Sequence, residues 1–372
     1  MKHFIYHNKD WPDFYWETEP LVFLLGRVRN LQGKIYGRME SLGFELKGEA
    51  SLNTLTTDVL KSSEIEGEIL NTDEVRSSIA RHLRMDIQGL IPSDRNTDGV
   101  VEMMLDATQN FNNPLDSDRL FAWHSSLFPR GRSGMYKIKI GDWRKDTTGP
   151  MQVVSGAMGK EKVHFQAPDS TTIPKEMDAF MSWINSEQGI DPVIKAGVAH
   201  LWFITIHPFD DGNGRIGRAI SDMLLARSDE SVQRYYSMSA QIRIERNDYY
   251  SILENTQKGS LDITKWLLWF LNCLLDALES AEGTLSNVIL KDEFWRKHID
   301  ISLNSRQKKI LNKLLDSFDG KLTTSKWAKI CKTSTDTALR DIQDLLGKDI
   351  LMKEEGGGRS TSYKLYDRIT NN

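Results

Sequence analysis

Cysteine is scarce in this 372-residue chain, which contains only Cys273 and Cys331. Two cysteines cannot form a disulfide framework, and neither lies in a C-x-x-C pair or a Cys/His cluster of the kind that holds zinc. The sequence also lacks an apolar run of about 18 residues, and it does not begin with the basic and apolar segments of a signal peptide. These absences predict a cytoplasmic protein that does not span a membrane.

A strong net charge is absent as well, because the formal net charge is only −4. The hydrophobic content of 39% and the charged content of 27% are typical of a soluble globular protein with two or three domains. Charge is nevertheless uneven, since residues 301–372 contain 14 Lys and Arg against 9 Asp and Glu. The C-terminal part is therefore locally basic.

Apolar residues recur at helical spacing through most of the chain. The pattern predicts helices within residues 21–90, a break at 91–100, and further helices on both sides of residues 131–170. Inside that last segment, the β-like runs MQVVSG and KVHFQAP predict the two arms of an exposed hairpin. The sequence thus predicts a mainly α fold with a small β component.

The densest cluster of charged and small residues is HPFDDGNGRIGR, residues 207–218. Pro208 lacks an N–H group and disfavours helical geometry at His207, so the preceding helix is expected to end there. Glycines permit a tight loop, and a helix beginning near Arg215 would direct its free N–H groups into it. The segment therefore predicts an anion site between two helices.

Arg215 and Arg218 strengthen this interpretation. Positive charge in the first turn of a helix opposes the helix dipole and costs about 0.3–1 kcal/mol per residue. Such a cost is expected where arginines bind phosphate oxygens in bidentate fashion. Asp211 is a single carboxylate beside this site, which is the usual arrangement for Mg²⁺ bound together with phosphates.

The same segment also contains a G-x-G-x-x-G pattern at Gly212, Gly214 and Gly217, which dinucleotide-binding folds use. Those folds need a short strand before the first glycine. The preceding run VIKAGVAHLWFITI is long for a strand, and helical segments surround it. This context argues against a dinucleotide site.

HPFDDGNGRIGR resembles the Fic signature H-x-F-x-[DE]-G-N-G-R-x-x-R throughout, and the resemblance extends over residues 110–280. Fic proteins are mostly AMP transferases with a compact helical fold. The resemblance implies that His207 is the general base for a Ser, Thr or Tyr hydroxyl that attacks the α-phosphate of ATP, and that Asp211 holds Mg²⁺. It implies an ATP-binding loop made of Asp211, Gly212, Asn213, Gly214, Arg215, Ile216, Gly217 and Arg218.

Two further parts of the site follow from the resemblance. Residues 151–168 resemble the family's flap, a hairpin that docks target proteins by strand addition. The segment YYSILENTQ is similar to the family's adenine-pocket helix, although core packing of the two tyrosines is the alternative. The implied contacts are Val154, Ser155, Gly156, Val163, His164 and Phe165 on the flap, and Tyr249, Tyr250 and Gln257 at the base.

The segment SSEIEGEIL fits the inhibitory signature [ST]-x-x-x-E-[GN] of Fic proteins at Ser62, Glu66 and Gly67. Four-residue spacing places Ser62 and Glu66 on one helical face. The resemblance implies that Glu66 pairs with Arg218 and occupies the place of the γ-phosphate. A solvated surface glutamate is the alternative, and an acid at this place could equally position a water for AMP removal.

The C-terminal segment, from LTTSKWAKICKTSTDTALR to GGGRSTSYKL, resembles a winged helix-turn-helix. Its predicted turn lies at Ser334 and Thr335, and its wing surrounds residues 356–358. Lys332, Arg340 and Arg359 are compatible with DNA phosphates, whereas Asp336, Asp341 and Asp344 would repel them. DNA binding therefore stays open beside protein docking or dimer formation.

Together these patterns predict a helical N-terminal region (residues 1–105) that carries the inhibitory helix, a Fic core (106–285) and a winged helix-turn-helix (298–368). The predicted function is a self-inhibited protein adenylyltransferase that uses ATP and Mg²⁺ and modifies a target protein docked on the flap. Self-modification and a homodimer are further expectations. The alternatives are an enzyme that removes AMP, a bifunctional enzyme, or a DNA-binding regulator that uses the core as a nucleotide sensor. Other relatives transfer phosphate or phosphocholine, and the intact G-N-G-R favours AMP transfer because the phosphate-transferring relatives depart from the motif at that point.

Overall fold

The computed structural model describes residues 3–40, 44–85, 89–147, 149–156, 162–187, 189–315, 318, 320–354 and 361–366. The chain is mainly helical with small β-hairpins, as the sequence predicts. It divides into two compact units, Met1–Glu282 and Gly283–Asn372. A further boundary at residue 105, inside the first unit, stays a prediction.

The first unit consists mainly of helices that follow a short 3-10 turn at Ile5–His7. Several begin at an Asn or Asp side chain that accepts hydrogen bonds from N–H groups of the first turn, which stabilises the helix start. The helices are α1 (Glu19–Glu40), α2 (Phe44–Ile65), α3 (Thr72–His82), α4 (Arg95–Gln109), α5 (Ser117–Leu127), α6 (Ile173–Asn185), α7 (Pro192–Ile206), α8 (Asn213–Asp229), α9 (Met238–Ile244), α10 (Arg246–Gln257) and α11 (Thr264–Lys297), the last continuing beyond this unit.

Helix α7 lies at the centre of the first unit, because 13 of its 15 residues are buried. A helix that is apolar on all sides needs neighbours on all sides. Gly197 allows one of them to approach closely, since a Cβ at this position would lie 2.9 Å from a methyl group of Leu267 on α11. Helix α8 is buried along most of its length as well. The loop between α7 and α8 is therefore held by the most rigid part of the unit.

Two antiparallel hairpins lie between α5 and α6. The first pairs β1 (Arg132–Ser133) with β2 (Tyr136–Lys137), and the second pairs β3 (Gln152–Ser155) with β4 (Lys162–Gln166). The second hairpin matches the two arms predicted for the flap, while residues 157–161 lie outside the described residues. Phe165 of β4 is buried against Phe4, so the N-terminal segment supports the flap.

The second unit contains α12 (Ser305–Leu315), β5 (Leu322–Thr323), α13 (Thr324–Cys331), α14 (Thr335–Gly347), β6 (Leu351–Lys353) and β7 (Ser362–Leu365). Its strands form an antiparallel sheet in the order β5-β7-β6. Trp327 and Ile342 lie in a small hydrophobic core of its own. The winged-helix assignment stays a prediction, and Gly356, Gly357, Gly358 and Arg359 of the presumed wing lie outside the described residues.

Within the part of the chain that the structure describes, no helix combines the length and the apolar character needed to cross a membrane.

Candidate active site

His207 is the residue that ends α7, as Pro208 predicts. Residues before a proline are usually extended. The backbone of His207 is instead left-handed (φ 52°, ψ 59°). Arg144 holds this unusual geometry, because its Nε donates to the carbonyl of His207 (2.8 Å) and its backbone N–H donates to that of Pro208 (2.9 Å). Sequence reasoning missed Arg144, which lies 63 residues upstream and in no recognisable pattern.

The loop after His207 is closed by the side chain of Asn213. Its Oδ1 accepts from the N–H of Phe209 (3.0 Å), and its Nδ2 donates to the carbonyl of the same residue (2.8 Å). The Phe209 ring is fully buried and stacks on His124 with centroids 4.2 Å apart. The amide of Asn213 therefore shapes the loop.

Helix α8 begins at Asn213, two residues earlier than predicted. The cause is Gly212, which has φ 81° and turns the chain directly into the helix. Arg215 thus lies in the first turn of α8 and Arg218 in the second, whereas the sequence suggested that both lie in the first turn. The first turn of α8 is fully described and contains no acidic residue. Its free N–H groups and its positive charge form an anion site.

Glu66 reaches this anion site from the end of α2. Its Oε1 accepts from Nη2 of Arg218 at 2.7 Å. Ser62 adds two contacts, because its hydroxyl accepts from Nε and its carbonyl accepts from Nη2, both at 2.9 Å. The Arg218 side chain is only 2% exposed, whereas that of Glu66 is 31% exposed. The predicted pair is present, although Glu66 lies one residue beyond the helix.

Gly214 shows how closely the carboxylate of Glu66 approaches α8. A Cβ at this position would lie 2.1 Å from Oε1 of Glu66 and 3.2 Å from Nη1 of Arg218. That Nη1 and the Nε of Arg215 are buried and have no hydrogen-bond partner among the described residues. Buried donors normally have acceptors. A group rich in anionic oxygens, such as a triphosphate, would supply them.

Glu68 forms a second contact of the same kind, which sequence reasoning missed. Its Oε2 accepts from Nη1 of Arg215 at 2.7 Å. Arg215 is almost fully buried, with its guanidinium 5.1 Å from the ring centre of Phe128, whereas Glu68 is 48% exposed. Gly67, with φ 86°, separates the two glutamates. The sequence E-G-E could have indicated this contact, because its second acid is Glu68. That position lies outside the inhibitory signature, however.

Asp211 suits a divalent cation that is held mainly by phosphates. Its carboxylate accepts from the hydroxyl of Ser133 and from the N–H of Gly212 (2.6 Å). Among the described residues, no group of three or more His, Cys, Asp or Glu side chains could hold a metal by itself. A lone carboxylate beside an anion site fits Mg²⁺, which keeps water and phosphate oxygens as ligands.

A cavity of about 670 Å³ brings about half of the predicted site residues together, while Asp211, Arg215 and Arg218 are not among its described lining residues. His207, Gly214 and Glu66 lie on its wall, and the flap and α10 supply other parts of it. The predicted flap and base residues among its described lining are Val154, Ser155, His164, Phe165, Tyr249, Tyr250 and Gln257. Gly156 and Val163 are not among the described lining residues.

The three candidate base contacts differ in their environments. Tyr249 is only 2% exposed, and its hydroxyl pairs with Nε2 of His200 at 2.9 Å, so most of this side chain belongs to the core. Gln257 is also buried and donates to the hydroxyl of Thr205 (3.3 Å). Tyr250 is 38% exposed with Arg246 over its ring, 5.2 Å from the centre. Tyr250 is thus the most accessible of the three to a ligand.

The electrostatic environment of His207 keeps its imidazole neutral. Burial lowers its pKa to about 4, and the nearby Arg144 acts in the same direction. Its Nδ1 lies 3.3 Å from the carbonyl of Ile204. A histidine that is neutral at pH 7 can accept a proton from a substrate hydroxyl.

Comparison with known families identifies two segments of the chain. Residues 114–225 match the Fic/DOC family, and residues 4–85 match a domain of unknown function, DUF4172. A probable protein adenylyltransferase, aq_aa38 from Aquifex aeolicus, is 29% identical over 103 residues, which are 28% of this chain and 30% of that protein. The protein adenylyltransferase Fic from Aedes aegypti is 35% identical over 118 residues, 30% of this chain and 22% of that protein. The chain thus spans less than a third of the length of these relatives.

Solved structures resemble the chain over a longer stretch. A Fic family protein from Desulfovibrio desulfuricans G20 aligns with a TM-score of 0.54 and 20% identity, covering 94% of this chain and 97% of that one. A Fic domain containing signaling protein from Bacteroides thetaiotaomicron aligns with a TM-score of 0.50 and 20% identity, covering 68% and 95%. These likenesses concern the fold. Residues 207–218, which form the loop between α7 and α8 and the start of α8, lie in a segment that matches the Fic/DOC family. The chain as a whole has the fold of Fic proteins.

Proposed function

We propose that this protein is an adenylyltransferase that transfers AMP from ATP to Ser, Thr or Tyr hydroxyls of target proteins. The observation that carries the proposal is that a neutral histidine, the first turn of α8 and Glu66 line one cavity. Glu66 pairs with Arg218, whose Nη1 has no hydrogen-bond partner among the described residues. The relatives, which are named protein adenylyltransferases, agree with this reaction.

His207 acts as the general base. The target oxygen forms a bond to the α-phosphorus of ATP, the bond from that phosphorus to the bridging oxygen breaks, and pyrophosphate leaves. The hydroxyl proton passes to the imidazole of His207, which is available because burial lowers its pKa to about 4. Loss of activity on acidification is therefore expected well below pH 6.5, the ordinary pKa of histidine.

The remaining residues of the loop stabilise negative charge. The N–H groups at the start of α8 and the guanidinium groups of Arg215 and Arg218 face the place where the phosphates would lie. Asp211 would hold a Mg²⁺ ion, whose positive charge offsets that of the phosphates when it is bound. Tyr250 is the leading candidate for contact with the base.

Glu66 inhibits the enzyme in the described conformation, because its carboxylate occupies the anion site that a phosphate group needs. Opposite charges about 4 Å apart attract by about 4 kcal/mol at an effective dielectric constant of 20, before desolvation is counted. Glu68 does the same at Arg215, with a weaker hold because it is half exposed. Removing Glu66 should therefore release the activity.

Labelled ATP tests both parts of the proposal. With lysate proteins as acceptors, Glu66→Gly should label more protein than wild type by about 5- to 150-fold, the range of ordinary regulatory coupling energies. Glu64→Gly is the matched control, because Glu64 lies two residues before Glu66, at the end of α2, but pairs with Lys61 and Arg243. His207→Ala in the Glu66→Gly background should remove the labelling. Equal labelling by wild type and Glu66→Gly would refute inhibition by Glu66.

AMP removal is the alternative reaction for the same site, since the partly exposed Glu66 could position a water instead of blocking phosphate. The two reactions respond oppositely to Glu66→Gly. Removal of AMP from a modified protein should be lost in this variant, whereas AMP addition should rise. Release of AMP from previously labelled protein, measured with both forms, separates them.

DNA binding is a second candidate function, for the C-terminal unit. Two of the three acids that argued against it are paired within that unit: Asp341 accepts from Arg306 (2.7 Å), and Asp344 accepts from Lys348 (2.6 Å). This pairing offsets their repulsion of phosphate beside Arg340. A mobility-shift titration with random-sequence DNA at low and high salt tests it, and Arg340→Ala should weaken the complex.

A further inference from the structure

A chain of hydrogen bonds on the cavity wall plays no part in the reaction proposed above. The Oγ of Ser155 on β3 lies 2.6 Å from Nε2 of His164 on β4. The Nδ1 of the same histidine lies 2.6 Å from Oε2 of Glu254 on α10. Three elements thus contribute a hydroxyl, an imidazole and a carboxylate in sequence, and all three residues line the cavity beside His207.

The direction of these hydrogen bonds follows from the carboxylate. Glu254 also pairs with Lys258, and this contact, followed by the one with His164, holds its pKa at about 2. An ionised carboxylate can only accept, so Nδ1 of His164 carries the hydrogen. In a neutral imidazole the other nitrogen is then an acceptor. In that neutral form the hydroxyl of Ser155 donates to Nε2, which is the arrangement that activates a nucleophilic serine.

The strand register explains why the serine and the histidine meet. Ser155 pairs with Lys162 across the hairpin, and the register shifts between Val153 and Val154, so His164 is the extra residue of a bulge on β4. A bulge re-aims a side chain, and here the His164 ring meets the hydroxyl of Ser155 at 2.6 Å. The contact of His164 with Glu254 then joins this face of the flap to α10, which carries the candidate base contact Tyr250.

We propose that Ser155 is a self-modification site that accepts AMP from the ATP bound in the cavity, with His164 as its proton acceptor. This inference rests on the proposed adenylyltransferase function. The Ser155 oxygen forms a bond to the α-phosphorus, the bond from that phosphorus to pyrophosphate breaks, and the hydroxyl proton moves to Nε2 of His164. Glu254 is a positioning residue, because it fixes the tautomer and stabilises the imidazolium that forms.

Ser251 provides an internal comparison. It also lines the cavity and is exposed, but its hydroxyl donates to the backbone carbonyl of Asn247 (2.8 Å). A backbone carbonyl has no basic site that could carry the proton away. If hydroxyl activation decides the acceptor, Ser155 should be modified and Ser251 should not. If exposure alone decides it, both should be modified.

The test is peptide mapping by mass spectrometry of the full chain after incubation with ATP and Mg²⁺, in the Glu66→Gly background and with lysate proteins present. The expected result is an AMP adduct on Ser155 and none on Ser251. His164→Gln and Glu254→Gln should each lower the ratio of Ser155 adduct to labelled lysate protein at least about tenfold. Glu254→Asp should restore part of the ratio, which a merely structural role of the residue would not require.

The possible outcomes separate this inference from the proposed function. Labelled lysate protein without a Ser155 adduct overturns the inference and leaves the adenylyltransferase intact. Absence of AMP from every protein overturns both. Equal adducts on Ser155 and Ser251, or an unchanged ratio in His164→Gln, show that exposure selects the acceptor and overturn the role of the histidine.

Discussion

Two buried charge clusters connect α2 with α8 and its neighbourhood, one helical turn apart along each helix. The closed cluster consists of Asp58, Asp222 and Arg234, in which Arg234 donates to Asp222 at 2.7 Å and both side chains are at most 1% exposed. The open cluster consists of Ser62, Glu66 and Arg218, and its member Glu66 lines the cavity. Both clusters pair a buried arginine with a carboxylate. That carboxylate is buried in the closed cluster and partly exposed in the open one.

Depth decides what each cluster can do. Separating a fully buried pair leaves a charge without water or partner, so the closed cluster fixes the packing of α2. Glu66, at 31% exposure, can exchange its arginine for water when a ligand with the same charge arrives. A buried arginine is therefore structural when its partner is buried with it. It is available to a ligand when its partner reaches solvent.

The largest expected effect is on folding. Arg234→Met should lower the free energy of unfolding by about 3–5 kcal/mol, because it leaves Asp222 buried without its cation. Arg218→Met should cost much less, because Glu66 can turn to water. Chemical denaturation measures both, with the exposed Arg243→Met as a control of small effect. Equal losses at 218 and 234 would remove the distinction between the clusters.

Ligand stabilisation should show the second-largest effect. In Glu66→Gly the anion site is open, so ATP at about 100 times its Kd should stabilise the chain by about 2.7 kcal/mol. Wild type should gain less at the same concentration, because part of the binding energy displaces Glu66. The measurement is the shift of Tm with ATP and Mg²⁺. Arg218→Met combined with Glu66→Gly should reduce the shift, and an undiminished shift would contradict the role of Arg218.

The pH dependence of stability probes the closed cluster. Burial raises the pKa of Asp58 from 3.8 to about 8, with Asp222 acting in the same direction. Between these pH values the folded chain keeps a proton that the unfolded chain has lost, so this residue's contribution to stability falls as pH rises. Asp58→Asn should therefore lose less stability than wild type between about pH 5 and about pH 6.5, by about 2 kcal/mol. Parallel stability curves would show that Asp58 is ionised throughout.

The smallest effect is expected at Glu68. Its pair with Arg215 is half exposed on the glutamate side, and such pairs contribute about 0.2–1 kcal/mol. Glu68→Gln should therefore raise AMP transfer only about two- to fivefold, well below the effect of Glu66→Gly. Initial rates with labelled ATP measure it. A rate in Glu68→Gln that equals that of Glu66→Gly would place the main inhibitory contact at Arg215.

The sequence was most informative where chemistry is local. Pro208 marked the end of α7, and the family signature indicated that Glu66 pairs with Arg218. The β-like runs that flank residues 157–161 predicted both strands of the flap. Each of these predictions depends on neighbours in sequence or on a long and specific motif, so the remainder of the chain was not needed to make them.

The rest depended on tertiary contacts that no local pattern encodes. Arg144 fixes His207 from a distant loop, and Glu68 carries no mark that separates it from a solvated surface acid. Tyr249 and Tyr250 are adjacent, so sequence could not show that one enters the core and the other faces the cavity. The start of α8 was misplaced because Gly212 serves as the helix cap without a side chain.

Gly214 affects how the proposed activity would depend on the concentration of nucleotide. The space left by its missing side chain holds the carboxylate of Glu66, and under the proposed function a phosphate group would compete for it. Competition of this kind lowers the apparent affinity in proportion to the fraction of molecules with an open site, so a site that is open about 1% of the time needs about 100-fold more nucleotide. Inhibition by Glu66 would then raise the nucleotide concentration that the proposed reaction needs. The maximal rate at saturating nucleotide would stay the same.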